Sequence, residues 1–552
     1  MNMKYIYIVL FTFGYFYSNS QEIPVHISET GIYDFLDEMA NNGLIDLNSV
    51  VKPYSDVYIF SRLKIVNENR EVLNSRQKKE LNFYLSEFSY LDHFMLKSVD
   101  VPVIGSILDK WHLSILPPGF SYKDSVFFLN IRPIWGIQYF KNSSGSNFHR
   151  WGGGSFKMNI GKKIGAWANL RDNNVSEILS NKIYFTTDEG GNYKGRKSGG
   201  GDYSEMRGGI SYSWKFGSVS LVKDHLQWGN NYHGANIFSS KPPSIAQLKL
   251  HLKPVRWFDF NYFHGWLVSN VIDSVRSYTT SNGNRRDVMH PKYVAANMYT
   301  VTPFEKIKFS FGNSIVYSDM NPHPAYLIPF LFYKPVDHWL NSTDSAGKGV
   351  GQNSQMFLDI SIRMLKGFHF YATLFIDELK VARIKEPDKY NPFGYKIGVK
   401  NSGSLLDNMY LIAEYTRTRP IVYEHYISTT TFETSGYNMG HYLRSNSDEL
   451  FLAIGYKPLQ RMLIKAEYSH ARHGRSYEYI DGHEAVTYPF MQEVRWENTI
   501  INMQFQYEFA YNCYLKAGYQ YNLAKGQDMQ KFTPDFYQGK NNTFYYGFNL
   551  GF

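Results

Sequence analysis

From Thr543 to Phe552 the chain alternates residue by residue. Phe544, Tyr546, Phe548, Leu550 and Phe552 fall on one face, and Tyr545, Gly547, Asn549 and Gly551 on the other. A period of two places such sets on opposite sides of a β-strand. The rhythm recurs at Ile501–Phe509, where Ile501, Met503, Phe505, Tyr507 and Phe509 interleave with Asn502, Gln504, Gln506 and Glu508. It recurs again over Asn512–Leu523 and Phe368–Asp377. A water-soluble sheet would need a second sheet over each apolar face. Strand after strand here has a single apolar face, and a closed barrel with lipid outside and a polar lumen accounts for it. A terminal Phe in such a strand is the usual closing strand of an outer-membrane barrel.

The connections allow the strands to be counted. Short turns are expected at 161–163, 216–217, 253–256, 303–306, 366–367, 401–408, 457–461 and 510–512. Long polar connections are expected near 141–154, 172–203, 227–244, 268–291, 318–354, 378–393, 418–447, 471–493 and 524–541. Eight short and nine long connections give eighteen strands, so the fold class is an all-β transmembrane barrel of about 18 antiparallel strands. An even count puts both barrel ends in the periplasm, with short turns there and long loops outside. Within 318–354, Ala325–Tyr333 is too apolar to sit in water and too short to span a bilayer. It is expected to fold over or into the barrel mouth, or to pack on neighbouring loops.

Ahead of the barrel the period changes. Ile32, Phe35, Leu36 and Met39 recur at helical spacing with Gly43 as C-cap; Ser55 can cap a second helix carrying Ile59, Leu63 and Val66; a third from about Ser75 carries Leu81, Tyr84, Leu85 and Phe88. Each has one apolar stripe, so residues 24–100 read as a small α-helical bundle docked at the periplasmic end and occluding the barrel. Residues 101–125, broken by Pro102, Pro117 and Pro118, read as a linker to a barrel over 126–552. The apolar run Tyr5–Tyr17, behind Lys4 and ahead of Ser18-Asn19-Ser20, reads as a signal peptide cleaved after Ser20. It is shorter than the roughly 20 residues of a spanning helix. These features place the chain in the outer membrane of a Gram-negative bacterium.

Composition agrees with this reading. Aromatic residues make up 17% of the chain and charged ones 19%, while mean hydropathy is −0.38. The one cysteine, Cys513, is expected on the lipid-facing side, which leaves no disulfide framework. No catalytic residues, metal ligands or cofactor site are assigned. Trp151–Gly154 lacks the Lys-Ser/Thr of a phosphate loop and reads as a turn, His470 and His473 as a solvated loop, and His483-Glu484 is not a zinc-protease motif. The inward charges Lys308, Asp359, Arg363, Asp377, Glu414, Lys465, Glu467, Glu508 and Lys516 mix signs, as in a cross-linked lumen rather than a selectivity ring. A net charge of +9 makes acidic polysaccharide and lipopolysaccharide phosphate the expected partners, and an exported barrel excludes nucleic acid.

Several segments resemble the Wzi capsule-assembly family of outer-membrane proteins. They are Gly31–Met39 with Lys52–Ser55, Gln227-Trp-Gly229 leading to Ile237–Ser240, Leu374–Leu379, and Glu414–Arg417 continuing through Tyr423-Glu-His425 to Gly440-His441. The resemblance implies a barrel with an N-terminal helical bundle and a lectin role, tethering capsular or related polysaccharide. The sequence departs from the family in reading Trp228-Gly-Asn-Asn231 and in lacking a Pro-Asp element after His441. Similar Bacteroidota proteins are associated with gliding motility (RemB-like). Three readings follow: a polysaccharide lectin, a motility or secretion accessory with a protein partner, and a diffusion channel. For the first, the expected binding residues are Trp228, Tyr232 and His233 in one long loop and Arg417, Arg419, Tyr423, His425 and His441 in or beside another, both at the outer face.

Overall fold

In the computed structural model, described over residues 22–94, 106–108, 110–197, 199–341, 351–377, 391–477 and 488–551, the chain is a closed antiparallel barrel. Eighteen strands form its wall. They are β1 (Phe127–Asn142), β2 (Gly145–Ile160), β3 (Ile164–Val175), β4 (Gly201–Trp214), β5 (Gly217–Asp224) and β6 (Ile245–Val255). There follow β7 (Phe258–Leu267), β8 (Lys292–Phe304), β9 (Ile307–Ser318), β10 (Asn353–Ile362), β11 (Phe368–Ile376) and β12 (Phe393–Ser402). The last six are β13 (Met409–Thr418), β14 (Ser447–Tyr456), β15 (Met462–Gly474), β16 (Val494–Ala510), β17 (Cys513–Lys525) and β18 (Lys540–Leu550). Closure is made by β18 against β1, from Phe544 opposite Lys141 to Leu550 opposite Trp135. The outward face of this seam carries exposed Phe544 and Tyr546, while Thr543 and Asn549 are buried inside. No described helix is long and apolar enough to cross a membrane. The proposed signal peptide, most of the 378–393 connection and His483-Glu484 lie outside the described residues.

Four expectations need correction. The connection near 141–154 is a turn of two residues, Ser143-Ser144, and Trp151–Gly154 lies inside β2, paired with β1 from Gly136 to Pro133. Across this pair Gly136 makes room for the Trp151 ring, which a Cβ there would approach within 2.2 Å. Part of the stretch read as linker is strand: Trp111–Ile115 and Pro118–Lys123 form a hairpin, and its second arm pairs with the first part of β1. Below the end of β18 it takes β18's place on that edge, so the β1 backbone stays paired. His470 and His473 are on β15, not in a loop: His470 meets Thr499, and His473 packs on Phe185 and Phe532 in the interior. An interval of three puts them on opposite faces of the strand. Cys513 shares the face of exposed Leu515 on β17 but is itself only 1% exposed, opposite the place where the β16 ladder shifts register between Glu508 and Ala510, so it is covered and does not meet lipid.

Three helices, α1 (Thr30–Asn41), α2 (Asp56–Glu68) and α3 (Ser75–Phe88), pack around Ile32, Phe35, Leu36, Met39, Ile59, Leu63, Leu81, Tyr84 and Phe88. Each such buried side chain contributes about 1.5–3 kcal/mol. Ser55 accepts from the Tyr58 N–H at 3.2 Å, and Asn74 with Gln77 forms a reciprocal capping box. Gly43, at φ +78, ends α1. The bundle enters the lumen from the short-turn end. There Gly367 N–H donates to the Asn41 carbonyl at 2.7 Å, Lys457 meets Glu38 at 3.1 Å, Arg461 N–H donates to Glu80 at 2.9 Å and the Tyr84 hydroxyl donates to Glu508 at 3.0 Å.

The described part of the long connection after β9 goes neither over nor into the mouth. Residues 319–341, with short helical segments Pro324–Leu327 and Tyr333–Asn341, lie on the outside of the wall across β7–β9. On β8 and β9, Val294, Ala296, Met298 and Val316 point into the core, so the alternate positions Asn297 and Asn313, directly opposite each other, face outward. Asn297 Nδ2 donates to the carbonyls of Pro329 and Leu331, both at 2.9 Å. Asn313 Oδ1 accepts from Tyr333 N–H at 2.9 Å, and Tyr262 and Tyr299 donate to Tyr326 and Phe330 carbonyls. Polar groups on a lipid-facing wall need such partners. The segment in turn exposes Leu327, Ile328, Phe330 and Phe332. The expected packing on neighbouring loops is seen at Asp319, which meets His290 and Thr429, while Ala325–Tyr333 itself packs on the wall.

Candidate functional site: the filled lumen and the long-loop end

The connection after β5 turns inward and meets the plug. Gln227-Trp228 pairs antiparallel with Val51-Lys52, and Gly229 N–H donates to Val50 at 2.8 Å. Gly229 adopts φ +94, which reverses the chain where a Cβ would press on Ile237 at 3.2 Å. Beyond it, Asn230 N–H donates to Asp359 at 2.9 Å, and the N–H groups of Tyr232 and His233 donate to the two oxygens of Glu414 at 2.6 and 2.9 Å. Glu414 also holds Lys396 at 3.0 Å. Wall carboxylates thus receive the backbone of a loop that has left its own strands.

The Tyr232 hydroxyl donates to Asp37 on α1 at 2.8 Å. Asp37 binds Lys400 at 2.7 Å and Arg363 at 3.1 Å. Burial opposes its charge, but Lys400 and Arg363 outweigh that and hold its carboxyl well below the usual range. On the other side of this loop, Glu449 takes His233 at 3.0 Å, His441 at 3.5 Å and the Tyr442 hydroxyl at 2.5 Å. Burial works against a charged His233, yet Glu449 raises its pKa, whereas burial lowers that of His441.

Both loops end in one apolar core. Trp228 is 3% exposed, edge-on to Phe238, Phe263 and Phe357. Tyr423 is equally enclosed by Phe375 and Phe432, its hydroxyl donating to the Asn236 carbonyl at 2.6 Å. Ile421 and Tyr423 have φ +57 and +72, a strained conformation for such residues that burial and the Tyr423 N–H bond to Asp377 at 2.7 Å sustain. Two partly open spaces, of about 120 and 60 Å³, lie between the plug and the wall. Both are small beside the roughly 300–1,000 Å³ of a ligand pocket.

The eight residues expected at the outer face therefore separate. Trp228, Tyr232, His233, Tyr423 and His441 lie inside the barrel, because their loops find hydrogen-bond partners there. Arg417 is on the outward wall, its Nε donating to the Tyr415 hydroxyl at 3.0 Å and its guanidinium 4.4 Å from the Phe490 ring, with Asp448 and Arg472 beside it. Arg419 lies over Phe393, and His425 Nδ1 contacts Thr430 Oγ1 at 2.7 Å next to Tyr426. Tyr426, 37% exposed, was not among the expected residues, although an aromatic next to His425 in a polar loop signals it.

A closed wall of eighteen strands with an apolar outer band and a filled polar interior defines an outer-membrane β-barrel. The structure resembles Wzi of Escherichia coli, an outer-membrane protein involved in group 1 capsule assembly and described as a carbohydrate-binding β-barrel. The TM-score is 0.56 at 10% identity, over 97% of this chain and 100% of that one. OccAB2 of Acinetobacter baumannii (TM-score 0.44, 9% identity) and OpdK of Pseudomonas aeruginosa with vanillate (0.42, 7%) each align with 76% of this chain and 97% of their own. At such scores they carry no argument about function. No protein-family model matches the chain, and no curated protein matches it in sequence.

Proposed function

We propose that this barrel binds an acidic surface polysaccharide at the cell surface without conducting, its long loops outside and its helical plug in the periplasm. The observation that carries the reading is the resemblance to a carbohydrate-binding barrel over 97% of the chain, plug included. The plug and inward loops that occupy the lumen support it, and the net charge of +9 suits an acidic glycan. With Trp228 and Tyr423 committed to the core, the glycan surface falls to the residues that remain accessible near the loop end: Arg419, His425 and Tyr426. An aromatic ring stacked on a sugar contributes about 1–3 kcal/mol, by analogy with stacking on bases. Arg417, beside Asp448 and Arg472 on the outward wall, is assigned instead to lipopolysaccharide phosphate.

The test is to replace Arg419 and Tyr426 together with Ala and to measure cell-attached against shed polysaccharide. Shedding at normal protein levels is expected. Unchanged retention would overturn the reading and favour a motility or secretion accessory with a protein partner.

A further inference from the structure

We infer that His26, Glu189 and His225 form a zinc site that clamps the N-terminal segment and the β3–β4 connection to the end of β5. The three residues come from elements far apart in sequence: His26 precedes α1, Glu189 lies between β3 and β4, and His225 follows β5 directly. Their ligand atoms all lie within 4.8 Å of one another. His26 Nε2 is 3.1 Å from His225 Nδ1 and 3.7 Å from Glu189 Oε1. A tetrahedral ion bound at about 2.0–2.1 Å keeps its ligand atoms about 3.3 Å apart, so little movement is needed to seat one.

The chemistry of the set selects the ion. Two imidazoles and one carboxylate suit zinc or a neighbouring transition metal and are poor for calcium or magnesium, which take oxygen ligands. Both histidines are buried, whereas the Glu189 side chain is 21% exposed, which gives an approach for the ion and room for a fourth ligand such as water. Ser28 orients the His26 ring, its Oγ 2.6 Å from Nδ1, so that Nε2 is the nitrogen turned towards the other ligand atoms. The His225 ring is not fixed in this way: its Nε2 is buried with no hydrogen-bond partner. Two buried imidazoles from distant elements that turn ring nitrogens towards each other at 3.1 Å, with a carboxylate oxygen 3.7 Å away, form a ready-made set of ligand atoms for a cation.

The electrostatic surroundings allow a cation. Arg171 and Arg207 are near, but each lies beside a carboxylate, Glu189 at 3.7 Å and Asp224 at 3.4 Å. A ligating imidazole must be neutral, and the 4% exposure of His26 favours that form. Ion binding would draw Glu189 away from Arg171.

The experiment uses the full-length chain in detergent, carrying no polyhistidine tag and freed of metal by chelation, with zinc ion alone as the titrant in calorimetry. One zinc per chain is expected. His26→Ala and His225→Ala should each weaken binding at least about 100-fold, and Glu189→Gln about 10-fold, the range over which coordination-shell partners act. His470→Ala, on the outward wall, should leave binding unchanged. Zinc at a fixed saturating concentration should raise the melting temperature of the wild type more than that of Glu189→Gln, a conservative change that keeps the fold. A second readout is the electron paramagnetic resonance spectrum of bound copper(II), which should report two nitrogen ligands in the wild type and one in His225→Ala. No stoichiometric uptake by the wild type, or uptake that persists in both histidine variants, would overturn the proposal.

Discussion

Residues 225–244 and 319–341 are both long, aromatic-rich connections at the same end of the barrel, yet one dives into the lumen and the other lies on the outer wall. Hydropathy does not separate them. What does is where unsatisfied polar groups wait. Inside, Asp359 and Glu414 need donors, and the N–H groups of Asn230, Tyr232 and His233 supply them. Outside, Asn313 donates to Asn297 at 2.8 Å, which leaves the Asn297 amide N–H groups facing lipid, and the carbonyls of Pro329 and Leu331 supply their acceptors. A buried polar group without a partner costs about 1–3 kcal/mol, and in lipid no water can relieve it. Loop direction in this barrel is thus set by hydrogen-bond accounting, with apolar burial following.

The inward side should break hardest. Asp37→Ala leaves Lys400 and Arg363 buried without their carboxylate, a loss of about 3–5 kcal/mol. Hydrogen exchange over residues 30–41 should rise sharply while the barrel strands stay protected; unchanged protection of α1 would remove the plug from the account. The outward side should yield to a smaller cost. Asn297→Leu removes the donor to Pro329 and Leu331, worth about 1–3 kcal/mol. A cysteine at Leu331 should then react with a maleimide faster than in the otherwise unaltered chain, Cys513 being buried and silent. Equal rates would mean the Asn pair does not hold the segment.

Acid separates the two sides further. Glu38 on α1 is held down to about 2: burial opposes its charge, but Lys457 and Arg76 outweigh this. A carboxyl lowered on folding contributes stability above its unfolded value, 4.5, and loses it as pH falls towards 2. Plug protection should therefore fade over that window, while the 319–341 segment, held by amides and carbonyls, keeps its slow labelling. The smallest effect is expected from Arg417→Ala, a partly exposed ion-pair residue, at below about 1 kcal/mol in barrel stability by thermal unfolding.

Much of the fold was legible because lipid imposes a simple rule. Ile501, Met503 and Phe505 can alternate with Asn502 and Gln504 only where one face meets hydrocarbon, and repeating that test gives eighteen strands. Mistaking the Ser143-Ser144 turn for a long loop left the count intact, since a connection of any length joins two strands. The helices were readable from their own stripes and caps. The site was less so. Trp228, Tyr423 and His441 belong to residue types that serve equally as sugar platforms and as core, and only contacts with residues far away in sequence decide between the two. Tyr232 meets Asp37, and Tyr423 reaches Asp377 and Asn236; no local pattern encodes such pairings. His26, Glu189 and His225 were invisible for the same reason, lacking any recognisable spacing.

The central claim is that plug and inward loops close the lumen, so that the barrel acts at its surface and not as a pore. Conductance of the intact, untruncated chain in a planar bilayer tests it most directly. No steady current above that of the bare bilayer is predicted; a steady ohmic current through the intact protein would contradict the account.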